Sequence, residues 1–305
     1  MRKFILGTDW WTDCDDAVAL RILTRHVKAG SADLIGVCIN AAMEYSVASL
    51  RGFLMADGIE NIPIGLDREA TDYGGNPPYQ KNLALKFGAG ISNADAEDAK
   101  RLYRRLIAEA DEPIEIIEIG FLQTIASVLE SEGDDISPLS GIELFKKKVK
   151  KVWVMAGKWD KDGEKEHNFC FTERSRAGGK KFLELCPTEI TFLGWEVGYT
   201  VISGGRLDKS DHLYTVLKDH RSENGRCSWD PMLTLMALIG DEEAAGYSAV
   251  RGKATLNEHD GSNYFKEDKR GTHKYVVKMK SDSYYEDLIN SIVSRFDGEI
   301  RRIST

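Results

Sequence analysis

Four aspartates fall within eight positions near the start of the chain, in the stretch LGTDWWTDCDDAVAL at residues 6–20. They are Asp9, Asp13, Asp15 and Asp16. Like charges at this density repel one another, and burying them is costly unless a positive charge lies between them. Carboxylate oxygens suit hard cations such as Ca²⁺ or Mg²⁺. The alternative is an acidic helix N-terminus, where aspartates cap free N–H groups, but four aspartates are more than capping requires.

Two later stretches carry residues that could join such a site. In CSWDPM at 227–232, Asp230 precedes a proline, a pattern that is also typical of a plain helix N-cap. Trp229 beside it fits either the core or a flat surface for an aromatic ligand. In GEKEHNFCF at 163–171, Glu166 and Asn168 could bind vicinal hydroxyls, or could belong to a solvated turn.

The elements that must position these residues alternate between short apolar runs and helical patterns. Strands are predicted at KFILGT, ADLIGVCIN, IPIGL, PIEIIEIG, KVWVMAG and TEITFLG, and helices at 15–27, 44–57, 94–110 and from residue 121 onward. This rhythm predicts an α/β fold with a mainly parallel open sheet and helices on both faces. Because ligands bind at the carboxyl ends of such strands, the Asp cluster, Asn40 and residues 120–123 can converge. Alone, Asn40 would be interpreted as a turn residue.

The last part of the chain has a different pattern. Residues 208–240 are predicted to be helical, and 247–256 and 273–280 to be the strands of a β-hairpin joined by a polar loop. A final helix is predicted at 282–297. Since no linker or repeat interrupts the chain, we expect one domain over 1–305, with a C-terminal elaboration over about 241–305.

Composition excludes several classes of protein. A formal net charge of −8 argues against binding nucleic acid through its phosphates. The five scattered cysteines, without a CxxC pair, are typical of a reduced cytoplasmic protein. No apolar run is long enough for a signal peptide or a membrane span, so no membrane partner is expected. Neither G-x-G-x-x-G nor a phosphate-binding P-loop motif occurs.

Taken in order, these stretches resemble the inosine–uridine-preferring nucleoside hydrolases. TDWWTDCDDA is similar to a longer form of that family's aspartate-rich signature, with two extra residues before the final pair, and IGFLQTIA, EHN and WDPM follow in the family's order. The resemblance covers most of residues 1–240 and implies the nucleoside hydrolase-like α/β fold. It also implies a calcium-dependent hydrolase that splits ribonucleosides into ribose and free base, with relatives that are commonly dimers or tetramers.

The resemblance implies roles for particular residues. Asp9 matches a calcium ligand that is also the candidate catalytic base, and Asp16 and Asp230 match further calcium ligands. Gln123 stands where a backbone carbonyl binds the calcium ion.

The implied ribose contacts form a second set. Asp15 matches the aspartate that contacts the 2′-hydroxyl, while Asn40, Glu166 and Asn168 match the other hydroxyl contacts. Trp229 could stack on the base.

Departures from the family pattern leave the leaving-group acid unassigned. Trp11 replaces the signature glycine, and Trp229 stands where some members have a histidine that protonates the departing base. The stretch 71–85 contains no histidine, which leaves His167 as a local substitute. We therefore expect either slow turnover of standard nucleosides or good turnover of a riboside with a better leaving group.

Two alternatives stay open at this point. One is a metal-dependent ribose- or nucleoside-binding protein without efficient turnover. The other takes Asp13 as the nucleophile and Asp15 as the acid of a haloacid-dehalogenase-type phosphatase. The second is disfavoured because Asp13 lies several residues beyond its strand and Ala17 replaces the expected hydroxyl residue.

Overall fold

The computed structural model describes residues 1–294 apart from 12, 76 and 89. The strands in chain order are β1 Lys3–Thr8, β2 Asp33–Ile39, β3 Ile64–Leu66, β4 Glu97–Asp98, β5 Ile114–Glu118, β6 Val149–Met155, β7 Glu164–Lys165, β8 Glu189–Leu193, β9 Ile202–Ser203, β10 Arg226–Cys227, β11 Tyr247–Leu256, β12 Ser262–Glu267 and β13 His273–Lys278. The helices are α1 Asp15–Lys28, α2 Ser46–Ala56, α3 Pro78–Phe87, α4 Ala99–Glu109, α5 Gln123–Leu129, α6 Gly141–Lys148, α7 His167–Cys170, α8 Glu173–Leu185, α9 Trp195–Gly198, α10 His212–Asp219, α11 Trp229–Ile239 and α12 Asp282–Val293.

One eleven-stranded sheet organises the described part of the chain. Its order is β4-β3-β2-β1-β5-β6-β8-β13-β11-β12-β7. The strands from β4 to β13 in that order are parallel, and β11, β12 and β7 continue the sheet with antiparallel pairings. The predicted fold class, an α/β fold with a mainly parallel sheet, is confirmed.

Helices cover both faces of the sheet, as predicted, because buried side chains alternate along its strands. In β1, Phe4 and Leu6 face one core and Ile5 faces the other. Helices α1, α2, α3, α10, α11 and α12 pack on the first face, and α4, α5, α6 and α8 on the second. Burial of these apolar faces, at roughly 25 cal/mol per Å², is the main term holding the layers together.

The six strands predicted from apolar runs are all present, and α1 begins at Asp15 as expected. The helix predicted from residue 94 instead begins at Ala99, because the Asp98 side chain accepts a hydrogen bond from the backbone N–H of Arg101 at 3.0 Å and caps it there. The sequence analysis did not predict the helices α3, α6, α7, α8 and α9 or the two-residue strands β4, β7, β9 and β10. Within the described residues, no helix combines the length and apolar character that a bilayer crossing requires.

The prediction of a helical segment over 208–240 is wrong as a continuous element. The structure has α10, a turn and then α11, with the two-residue strand β10 between them. Arg221 has φ of 64° and Gly225 has φ of 111°, so the backbone turns through the left-handed region that a helix cannot use.

The C-terminal hairpin is confirmed only in part. Strands β11 and β13 do pair antiparallel, with Gly252 opposite His273. The connection is not a loop, since β12 forms within it and pairs with the other edge of β11, placing Gly252 opposite Glu267. The sequence analysis did not predict this strand because its residues are mostly polar, as is common for strands near the edge of a sheet. The final helix ends at Val293, and residues 295–297 of its predicted range lie outside the described residues.

Candidate functional site

A cavity of about 250 Å³ opens where β1, β6 and β8 end and the helices that follow them begin. This is the edge at which open α/β sheets bind ligands. The lining residues are Asp9, Trp11, Asp13, Asp15, Asp16, Ile119, Met155, Glu166, His167, Asn168, Trp195, Arg226, Trp229 and Asp230.

The loop between β1 and α1 is anchored by buried aromatic side chains. Trp10 has a left-handed backbone, with φ of 48°, and its indole N–H donates to Ser49 Oγ at 2.8 Å. The same indole packs edge-on against Phe53 and Tyr79. The Tyr79 hydroxyl donates to the backbone carbonyl of Trp11, and the Gln80 amide donates to that of Trp10. Helix α3 therefore holds the loop whose aspartates line the cavity.

Three carboxylates from distant parts of the chain meet in this cavity. Asp15, Asp16 and Asp230 each offer an oxygen, and these oxygens lie within 4.8 Å of one another. The backbone N–H of Asp230 donates to Asp15 Oδ2 at 3.2 Å, which ties the start of α11 to the start of α1. Asp16 Oδ1 accepts from the Thr8 hydroxyl and from the backbone N–H of Trp10. The structure thus places Asp230 beside Asp15 and Asp16, whereas the sequence analysis expected it beside Asp9 and Asp16.

Asp9 lines the same cavity but stands outside that group of three. Its Oδ1 accepts from the backbone N–H of Trp11 at 3.1 Å, and the residue is 8% exposed. As a result, it is oriented by the loop and retains a second oxygen for chemistry.

Asn40 and Gln123 lie beside the site rather than on the cavity surface. Asn40 Oδ1 accepts from the backbone N–H of Phe121 at 3.0 Å, and the Gln123 amide donates to the Asn40 carbonyl at 2.6 Å. These bonds join the end of β2 to the start of α5. The ribose contact of Asn40 and the backbone-carbonyl role of Gln123 stay predictions.

The electrostatics of the acidic group favour a bound cation. Burial, reinforced by the charges of neighbouring aspartates, raises the pKa values of Asp9, Asp15 and Asp230 well above the ordinary range. Burial also raises the pKa of Asp16 to about 7. Such carboxylates repel one another near neutral pH, and a divalent cation between them relieves the repulsion. The all-oxygen donor set suits Ca²⁺ or Mg²⁺, so the residues fit the cation that the sequence predicted.

Glu166 and Asn168 form a second, rigid wall of the cavity. Glu166 Oε2 accepts from the backbone N–H of Gly157 at 2.8 Å, and its Oε1 accepts from that of Asn168 at 2.9 Å, capping α7. The Asn168 amide donates to the Met155 carbonyl at 2.9 Å. Burial raises the pKa of Glu166 to about 7. Both side chains are more than nine-tenths buried, so their orientation is fixed before any ligand binds.

Aromatic rings form the remaining walls. Trp11 stacks on His167 with ring centroids 5.9 Å apart, and Trp195 stacks on Trp229 at 6.3 Å. The Trp229 indole N–H donates to the Trp195 carbonyl at 2.7 Å, which ties the Trp229 ring to the start of α9. Burial lowers the pKa of His167, which makes it mostly neutral near pH 7 and a weak proton donor.

An ion pair that the sequence did not predict completes the cavity. Arg226 donates from Nε and Nη2 to the Asp13 carboxylate, at 2.9 and 2.5 Å. Burial, which by itself raises the pKa of Asp13, is outweighed by these hydrogen bonds and the guanidinium charge, so that pKa is lowered. The partners are separated by 213 positions and share no local motif.

The sequence analysis also missed Trp195. This residue lies two positions beyond the end of β8, so the rule that ligands bind at strand ends could have found it. Of the predicted site residues, the structure brings seven to the cavity: Asp9, Asp15, Asp16, Glu166, Asn168, Trp229 and Asp230.

Comparison with solved structures shows the same fold over nearly the whole chain. The plant nucleoside hydrolase PpNRh1 matches with a TM-score of 0.72 and 16% identity, covering 97% of this chain and 99% of that one. A purine-preferring ribonucleoside hydrolase from Gardnerella vaginalis matches with a TM-score of 0.71 and 14% identity, covering 98% and 99%.

An inosine–uridine-preferring nucleoside hydrolase from Bacillus anthracis matches with a TM-score of 0.66 and 14% identity, covering 96% and 99%. No protein-family model and no curated sequence matches the chain. The expected nucleoside hydrolase-like fold is therefore confirmed by structure, at a level of identity that shows the fold alone.

Proposed function

We propose that this chain is a calcium-dependent hydrolase that cleaves the N-glycosidic bond of ribonucleosides, releasing ribose and free base. The observation that carries the proposal is the meeting of Asp15, Asp16 and Asp230 in one buried cavity. The full-length likeness to nucleoside hydrolase structures supports the same assignment.

Residue roles follow from the donor set and from the resemblance. Asp9, Asp16 and Asp230, with the Gln123 carbonyl, would hold the cation. When bound, the cation would supply a positive charge that orients the ribose hydroxyls and the attacking water. Asp15 lies among the same carboxylates and would accept a hydrogen bond from the 2′-hydroxyl.

The ribose and the base would meet different walls of the cavity. Glu166, Asn168 and Asn40 would contact further ribose hydroxyls. Trp229, stacked on Trp195, would offer its ring to the base, an interaction worth roughly 1–3 kcal/mol.

The chemical step requires positive charge at the anomeric carbon and a nucleophilic water. The excess of buried carboxylates in the cavity would stabilise an oxocarbenium-like transition state. Asp9, oriented by the Trp11 backbone N–H, would remove the proton from the attacking water.

A binding protein without efficient turnover is the second candidate. The observation that favours it is the weak set of proton donors around the cavity: His167 has a lowered pKa because it is buried, and Trp229 offers no acidic proton. Calorimetry that shows calcium-dependent ribose binding without hydrolysis would favour this candidate.

The direct test incubates the purified protein with a panel of purine, pyrimidine and activated ribosides, with Ca²⁺ or with a chelator. We expect ribose release with Ca²⁺ and at least a hundredfold less with the chelator. An Asp9→Asn variant should lose turnover even at calcium concentrations that saturate its weakened cation site. If the wild type binds calcium and releases ribose from no member of the panel, the hydrolase assignment fails. The homodimer or homotetramer and the cytoplasmic location stay predictions.

A further inference from the structure

The cavity contains a strong imbalance of charge. Six carboxylates line it, and among the described residues Arg226 is the only permanently cationic one that does. Carboxylates favour the positive charge that develops on the ribose, but they oppose the movement of an electron pair onto the departing base. Cleavage of a poor leaving group in this cavity therefore needs a compensating positive charge beside the base.

Arg226 is placed to provide that charge. It lies four residues before Asp230, and its guanidinium carbon is 5.5 Å from the centroid of the Trp229 ring. The ring is the surface on which the base stacks in the proposed function, so a base there would lie next to the guanidinium.

Asp13 fixes the direction of the guanidinium group. The carboxylate engages Nε and Nη2, and within the described residues Nη1 has no hydrogen-bond partner. The arginine side chain remains 34% exposed, so the pair lies at the wall of the cavity and not in the core. A bidentate pair of this kind limits rotation of the planar group and leaves one N–H₂ edge available.

We propose that Arg226 is the residue that stabilises the leaving group, through charge and hydrogen bonding and without transferring a proton. This inference rests on the proposed hydrolase function and names the group that the sequence left unassigned. The bond from the anomeric carbon to the base nitrogen breaks, and both electrons leave with the base. Negative charge spreads to a base oxygen that accepts from Nη1. Water adds to the anomeric carbon, Asp9 takes its proton, and solvent protonates the base after release.

The chemistry of arginine separates this role from acid catalysis. A guanidinium keeps its protons at any pH at which the protein is folded, and hydrogen bonds from Arg226 to Asp13 raise the pKa of Arg226 further. Its contribution should therefore depend on how poor the leaving group is. A base that forms an unstable anion needs the guanidinium, whereas p-nitrophenolate is stable without it.

The test compares Arg226→Gln with wild type on the slowest measurable nucleoside and on p-nitrophenyl β-ribofuranoside. We expect kcat/KM to fall about a hundredfold for the nucleoside and less than threefold for the activated riboside. Arg226→Lys should recover part of the loss because it keeps the charge without the planar group. The matched control is Arg101→Gln, which breaks a bidentate pair with Asp135 at 2.9 and 2.5 Å on the exposed surface and should change neither rate.

Each other result has a defined meaning. An equal loss on both substrates, with the calcium-induced rise in melting temperature intact, would mean that Arg226 only positions the cavity and would overturn the inference. Wild-type cleavage of the activated riboside alone would also overturn it, since no nucleoside base would then be stabilised. Failure of the wild type to cleave either substrate would overturn the proposed function, and the inference with it.

Discussion

Asp230 has opposite effects on stability in the metal-free protein and in the protein with a bound cation. Burial and the nearby charge of Asp15 raise its pKa, so without a cation its charge opposes folding. With a cation the same charge becomes a ligand. One substitution can therefore stabilise the metal-free protein and abolish the effect of metal.

We predict that Asp230→Asn raises the melting temperature in chelator by about 2–4 °C at pH 8, since removing one buried charge contributes about 1–2 kcal/mol. The rise in melting temperature that Ca²⁺ gives the wild type should disappear, and calcium affinity should fall roughly tenfold to a hundredfold. Thermal unfolding and calorimetry measure the two effects. Asp111→Asn, whose side chain is 90% exposed, is the control and should behave as wild type. A lower melting temperature in chelator with an intact calcium effect would contradict the prediction.

The sequence predicts local acidic groups better than distant pairs. Asp9, Asp15 and Asp16 belong to one short stretch after a predicted strand, so their convergence needs only the strand–helix turn. Asp230 could be added only through the resemblance and the order of motifs. The pair of Asp13 with Arg226 has no such signal, because long-range contacts are set by how helices pack and not by spacing.

At the scale of elements, β1 and β5 are held together around a buried acid. The Glu118 side chain lies against the backbone of Gly7, where an added Cβ would come within 2.0 Å of the carboxylate oxygen. The Tyr103 hydroxyl of α4 donates a hydrogen bond to the Glu118 carboxylate. Burial raises the pKa of Glu118 to about 8. The sequence showed only a strand there, since alternation identifies apolar faces but not a buried acid.

This acid should make stability depend on pH. The ordinary pKa of Glu118 in an unfolded chain is 4.5 and the folded value is about 8, so folding takes up a proton between these values. The contribution of Glu118 to the free energy of unfolding should therefore be greatest below about pH 4.5 and should fall as the pH rises to 8. Above pH 8 this contribution should change little.

Glu118→Gln should remove this pH dependence. We predict that the variant is more stable than wild type by about 2–4 kcal/mol at pH 8 and nearly equal to wild type in stability at pH 5. Urea unfolding at the two pH values measures the difference. Glu112→Gln on the exposed turn before β5 is the control and should show no such dependence on pH. Equal effects of Glu118→Gln at both pH values would show that the buried acid does not titrate as proposed.

At the scale of the whole molecule, the C-terminal strands support a wall of the cavity. Strand β12 pairs with β7, which directly precedes Glu166. The buried Asn263 amide donates to the Lys158 carbonyl at 2.8 Å, and its oxygen accepts from the Lys158 backbone N–H at 3.1 Å. Gly157, beside Lys158, donates to Glu166. The elaboration that the sequence set apart as a hairpin is thus connected to the ribose-contact residues proposed here.

We predict that Asn263→Ala weakens riboside binding while leaving the cation site intact. The substitution leaves two backbone groups of Lys158 without partners and should cost about 1–3 kcal/mol of stability. Because the loop also positions Glu166, KM for a riboside should rise roughly threefold to thirtyfold, with calcium affinity unchanged. Asn82→Ala removes an exposed hydrogen bond to Asp219 at 2.7 Å and serves as the control for losing an asparagine. Since Asp15, Asp16 and Asp230 sit on α1 and α11, a parallel loss of calcium affinity would show that β12 supports the whole cavity rather than this wall.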